Sequence, residues 1–101
     1  MRLVVVVLEP SHVEAMRQAL AGVHVTRLTI CDAQGYDDAS ARLSQQAVME
    51  IAVNDDFLDR TVDTIAAAIR LRGGRVEDRL QVLPIEEAVQ IYREVRGPEA
   101  V

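Results

Sequence analysis

The sequence has no lysine and no tryptophan, a single cysteine, three prolines and only three aromatic residues. Each shortage excludes something. One cysteine, Cys31, cannot form an internal disulfide and fits a reducing compartment. With so few aromatics, the core has to be built from Val, Ile, Leu, Ala and Met. The apolar run Leu3 to Leu8 is far too short to span a bilayer, and Glu9-Pro10 follows it rather than a small-residue cleavage site. A soluble cytoplasmic protein with no direct membrane insertion is expected. All basic residues are arginine, and the formal net charge is -5. Neutralising nucleic-acid phosphates requires a basic face, so no nucleic-acid partner is expected. Arginine is the better residue for forked contacts with phosphate or carboxylate, although a GC-rich genome also yields an all-arginine set.

What is present fits one domain over residues 1–101. A chain this short leaves much of its surface in water, and its own core gives limited stability. Half of its residues are nevertheless hydrophobic, which suggests apolar surface reserved for a partner subunit.

Residues 2–8 are a continuous β-branched run suited to a central strand buried on both sides. Pro10 sits well at the start of a helix whose inner face carries Val13, Met16, Ala19 and Leu20, with Gly22 as a left-handed stop. Residues 23–32 read as a second strand. Its alternation slips between Val23/Val25 and Leu28/Ile30, as a bulge near Thr26-Arg27 would cause. Residues 33–44 are small and polar, and a mobile loop is expected there. Strict alternation of Ala47, Met49, Ile51 and Val53 marks a third strand over residues 45–53. Asn54 then offers an N-cap to a helix carrying Leu58, Val62, Ile65, Ala66 and Ile69 inward, which ends near Leu71, before Gly73-Gly74. A fourth strand spans residues 79–83, with Pro84 breaking it. Residues 85–95 fit either a strand (Val89, Ile91, Val95) or a helical face (Ile85, Ala88, Val89, Tyr92). The order β-α-β, loop, β-α-β gives an α+β, ferredoxin-like sandwich with helices on one sheet face only. The other face needs a cover, hence an oligomer.

Four of the eleven basic residues, Arg70, Arg72, Arg75 and Arg79, fall within ten positions around Gly73-Gly74. Glycines let a backbone approach an anion, and arginines supply forked donors. Arg70 and Arg72 equally complement the negative end of a helix. His12 and His24 have no third ligand at metal-binding spacing. Cys31, in a strand-like run, reads as a small buried thiol. Asp37-Asp38 reads as a solvated pair, and Tyr36 either stacks on a base or packs under its loop. No enzyme is expected. The turn Leu8-Glu9-Pro10-Ser11 has no glycine and no arginine for a phosphate cradle, and no nucleophile–base pair stands out.

These segments resemble the PII signal-transduction family. Met-Arg-Leu-Val-Val-Val-Val-Leu-Glu-Pro and then Val13 to Leu20 look like its first strand, turn and helix. Thr29 and the Gly35-Tyr36 pair follow in order, and Val82-Leu83-Pro84-Ile85-Glu86 looks like the Val-Ser-Pro-Val-Glu after its fourth strand. The resemblance implies a PII-like homotrimer active in nitrogen regulation. It would bind an effector at Thr29, Gly35, Tyr36, Gly73, Gly74, Arg75 and Arg79 and act on a target protein, a membrane transporter or an enzyme. Three departures stand out. The loop at 33–44 is much shorter than the family's. Asp37-Asp38 follows Tyr36 where the family places the Gln that contacts 2-oxoglutarate. The phosphate loop Thr-Gly-x-x-Gly-Asp-Gly-Lys reads here as Arg72-Gly73-Gly74-Arg75-Val76-Glu77-Asp78-Arg79, and Gln90 and Tyr92 stand for a basic pair. The implied effector is therefore a small anion such as an adenine nucleotide (AMP, ADP or ATP), a cyclic nucleotide or bicarbonate, with ordinary Mg-ATP and 2-oxoglutarate sensing less favoured. The alternative is a CutA-like or other trimeric interaction protein without a nucleotide.

Overall fold

The structure, a computed structural model, describes all residues except 77–78 and 92–93. The β-branched run forms β1 (Arg2–Leu8), which lies between two antiparallel neighbours. Helix α1 (Val13–Ala21) leads to β2 (Thr29–Asp37), which turns directly into β3 (Arg42–Val53). Helix α2 (Asp55–Leu71) leads to β4 (Leu80–Pro84), and a small hairpin of β5 (Val89–Gln90) and β6 (Val95–Arg96) follows. The main sheet has the order β2-β3-β1-β4 with every pairing antiparallel. This is the expected ferredoxin-like α+β arrangement.

Period-two alternation divides β1 between two faces. Val4, Val6 and Leu8 are buried under the helices, together with Met49 and Ile51 of β3, Met16 and Leu20 of α1, and Ile65 and Ile69 of α2. Leu3, Val5 and Val7 point the other way and are only half-buried. The expectation of a strand buried on both sides is thus met on one side alone, because both helices lie on the same face. Thr61 is the one buried polar side chain among the described residues, and its hydroxyl donates to the Phe57 carbonyl at 2.7 Å.

Several expected boundaries shift, each for a physical reason. Gly22 is not left-handed; its φ is -62°. The left-handed residue is His24, φ 67°. The His24 N–H donates to Ala21 O at 3.0 Å and the Val25 N–H to Leu20 O at 2.9 Å, the bonding of a Schellman closure. Residues 23–28 therefore finish the helix and turn, and the slipped alternation reflects that turn rather than a strand bulge. The expected loop at 33–44 is mostly paired: Ala33 faces Gln46, Gly35 faces Ser44 and Asp37 faces Arg42. Only residues 38–41 turn, held by the Ala39 N–H donating to Asp37 Oδ1 at 3.0 Å. The twelve residues of β3 reach ~40 Å, which accounts for the 47 Å long dimension of the molecule. Pro84 ends β4 without breaking it, opposite Arg2 on an edge strand where its missing N–H costs no ladder bond. The ambiguous tail forms β5 and β6; Tyr92, invoked for a helical face, lies outside the described residues.

His24 occupies the position that glycine usually takes, at a steric cost of roughly 1 kcal/mol. His24→Gly should raise stability by about 0.5–1 kcal/mol, a few degrees in melting temperature at matched protein concentration. An unchanged or lower melting temperature would show that the His24 side chain contributes more than its backbone strain costs.

Candidate effector cleft

Helix α2 closes with the same geometry as α1, this time on glycine. Gly73 has φ 79°, its N–H donates to Arg70 O at 3.0 Å, and the Gly74 N–H donates to Ile69 O at 2.9 Å. A Cβ on Gly74 would lie 2.9 Å from Ile69 Cγ2 and 3.3 Å from Ile69 O. Both glycine N–H groups are therefore committed to helix carbonyls. These two glycines shape the loop rather than donate to a ligand.

Arg79 stands where this loop meets the sheet. Its carbonyl accepts from the Val7 N–H at 2.9 Å, and its guanidinium Nη1 donates to Val7 O at 3.3 Å. The residue is half-buried. Across from it, the base of the β2–β3 hairpin brings Gly35 and Tyr36. A Cβ on Gly35 would lie 3.1 Å from Gln46 Cγ and 3.3 Å from Ser44 Oγ, so the missing side chain leaves room for the Gln46 amide. Gln46 Nε2 donates to Ser44 Oγ at 2.8 Å, whereas Gln46 Oε1 is buried and has no hydrogen-bond partner among the described residues.

Gly35, Tyr36, Gly73, Gly74, Arg75 and Arg79 line one open cavity of about 470 Å³, together with Val7, Asp37, Ser44 and Gln46. Six of the seven expected site residues thus meet, from segments some forty positions apart. Thr29 does not. It lies at the far end of β2, opposite Glu50, about 20 Å along the strand from Gly35. The arginine cluster also divides: Arg75 and Arg79 line the cleft, and Arg70 and Arg72 do not. Glu77 and Asp78 lie outside the described residues. Among the described lining residues, Arg75 and Arg79 are the cations and Asp37 is the carboxylate. Ser44 and Gln46 were not singled out from the sequence. The available signal was the register of β3, where both sit two positions apart on the face of Val48 and Glu50. Cys31 is exposed rather than buried, because its strand face is uncovered in the single chain. His12 pairs with Glu9, Nε2 to Oε2 at 3.8 Å.

The structure is a ferredoxin-like α+β domain with an open cleft at one end of its sheet, and comparison with known proteins gives the family. The model for "Nitrogen regulatory protein P-II" matches residues 1–95. Nitrogen regulatory protein GlnK1 of Methanosarcina mazei is 30% identical over 114 positions, covering 100% of this chain and 97% of the relative. Nitrogen regulatory protein P-II of Rhizobium etli is 29% identical, covering 100% of both chains. A crystal structure of Arabidopsis thaliana PII bound to citrate superposes with a TM-score of 0.80 at 24% identity, covering 98% of this chain and 87% of that one. The chain belongs to the nitrogen regulatory protein P-II family. It is a regulatory signalling protein with a PII-like fold. The family match favours this reading over a trimeric interaction protein of another kind. Among the described residues no helix is long and apolar enough to cross a membrane.

The helix closure generates a direct check on the glycines. Gly74→Ala should destabilise the fold by about 1–3 kcal/mol, because the new methyl meets a stiff, buried β-branched side chain. Gly73→Ala meets open space and should cost only about 1 kcal/mol, for its left-handed φ. Denaturant midpoints in the reverse order would contradict this account of the loop.

Proposed function

We propose that this protein senses a small anionic effector, an adenine nucleotide, in clefts between the subunits of a homotrimer, and passes the bound state to a target protein. The observation that carries the proposal is the convergence of Gly35 and Tyr36 with Arg75 and Arg79 in one cavity. Arg79 supplies a fixed charged donor, and exposed Tyr36 offers a ring for stacking on a base. The separation of Thr29 from the cleft supports a shared site, in which one subunit contributes the hairpin base and the arginine loop and its neighbour contributes Thr29.

The uncovered sheet face supports the trimer. Leu3, Val5 and Val7 of β1 continue through Val48 and Ala52 of β3, Cys31 of β2 and Leu83 of β4 by strand register. Burying such side chains contributes about 1.5–3 kcal/mol each when complete. The β2–β3 hairpin, with Tyr36 61% and Leu43 68% exposed, is the candidate target contact. An alignment of 114 positions against a chain of 101 leaves at least 13 positions of the Methanosarcina protein without a counterpart here. The shortened segment is assigned to this hairpin, where four residues make the whole turn.

The decisive experiment is a thermal-shift series with AMP, ADP, ATP, cyclic nucleotides, bicarbonate and 2-oxoglutarate. A ligand at a hundredfold excess over its dissociation constant adds about 2.7 kcal/mol of apparent stability. At least one adenine nucleotide should raise the melting temperature by several degrees; no response to any nucleotide contradicts the proposal. Arg79→Ala should weaken the effective nucleotide by roughly ten- to a hundredfold, as loss of a charge-assisted hydrogen bond of about 1.5–3 kcal/mol requires, and should leave the trimer intact. Val5→Glu, which places a carboxylate opposite Glu50, should yield a folded monomer by light scattering. A parent chain that is monomeric at micromolar concentration would rule out the trimer.

A further inference from the structure

A second cavity lies on the opposite side of the sheet from the cleft. Val7 and Leu8 are consecutive in β1 and point to opposite faces; Val7 lines the cleft, and Leu8 lines this second cavity of about 280 Å³ between α1 and α2. Gly73, Gly74 and Arg79 form the wall shared by the two.

We infer that this interhelical cavity binds a small amphiphilic carboxylate, its hydrocarbon chain between the helices and its carboxylate at the arginine rim. The floor is apolar: Leu8, Met16 and Ile69 are each at most 5% exposed. Ala15 on α1 and Ala68 on α2 are too short to fill the space above it. Leu71 stands at the mouth with 87% of its surface in solvent, so an entering chain finds apolar surface on the way in. The charges sit at one end. Glu9 is faced by His12 at 3.8 Å on the same rim. Arg72 makes no ion pair among the described residues, and Arg79 adds a second cation. The rim thus has an excess of positive charge beside a hydrocarbon-lined space. The volume of about 280 Å³ lies just below the usual range of roughly 300–1,000 Å³ for ligand sites, which favours a chain of medium length over a long acyl tail or a nucleotide. The site shares Gly73, Gly74 and Arg79 with the cleft but lies on the helix side of the sheet, and its test reads Met16, which lines this cavity and not the cleft.

Methionine methyl NMR on the full-length protein tests it with octanoate. Of the three methionines, Met16 lines the cavity, Met49 is buried in the core outside it and Met1 is remote. Octanoate should shift the Met16 methyl signal saturably and leave Met49 nearly unmoved. Ala15→Leu, a substitution on an exposed helix position that should fold normally, should fill the space and abolish the shift. Arg72→Gln should weaken octanoate by about three- to tenfold. No saturable Met16 shift, or an undiminished shift in Ala15→Leu, overturns the site. Equal binding of octanol and octanoate overturns the carboxylate assignment.

Discussion

The structure depends on one constraint: four antiparallel strands carry both helices on a single face. That arrangement gives β1 two unlike sides, one sealed by Met16, Leu20, Ile65 and Ile69, the other open with Leu3, Val5 and Val7. By register Gln81 and Glu50 flank Val5 on that open face, with apolar side chains on either side of this row; an exposed apolar area of this kind marks a candidate interface. Association of subunits through that face would cover it. In the trimer we propose, the effector site follows from this packing, because a cleft at one end of the sheet and Thr29 at the far end of β2 can serve a single ligand only across an interface.

The two helix closures explain how the cleft is held. Both end in a bond pattern that turns the chain sharply back, α1 on His24 and α2 on Gly73. The first delivers the chain to β2 and the hairpin. The second delivers it to Arg75 and Arg79. The closure of α2 consumes the Gly73 and Gly74 N–H groups, so these two glycines have no backbone donor left for an anion. In the site we propose, recognition rests on the side chains of Arg75 and Arg79. Gln46 Oε1, buried and without a hydrogen-bond partner among the described residues, adds an acceptor to the site we propose.

Much of this was legible in the sequence, and the failures are instructive. The buried sides of β1 and β3 and the inner face of α2 follow directly from periodicity, because burial on one face forces it. Family resemblance placed six cleft residues that periodicity could not connect, since Gly35 and Arg79 meet only through the sheet topology. Two local readings failed. Glycine was taken as the sign of a left-handed residue, yet at the end of α1 the chain puts that strain on His24. The segment 33–44 was read as a loop because Ala, Gln, Gly, Asp and Ser are poor strand formers. Its strand character comes from pairing with β3, a tertiary effect that local propensity does not contain. Cys31 was expected to be buried on the strength of its residue type, and its exposure in the single chain reflects the same uncovered face that the trimer would close.

The most direct test of the central claim is hydrogen–deuterium exchange on the full-length protein, with and without saturating adenine nucleotide. A cleft shared between subunits predicts added protection in residues 33–37 and 73–79 together with residues 28–30 around Thr29, although the two ends of β2 are about 20 Å apart within one chain. Protection confined to 33–37 and 73–79, with no change around Thr29, would mean that a single subunit holds the ligand and would contradict the account.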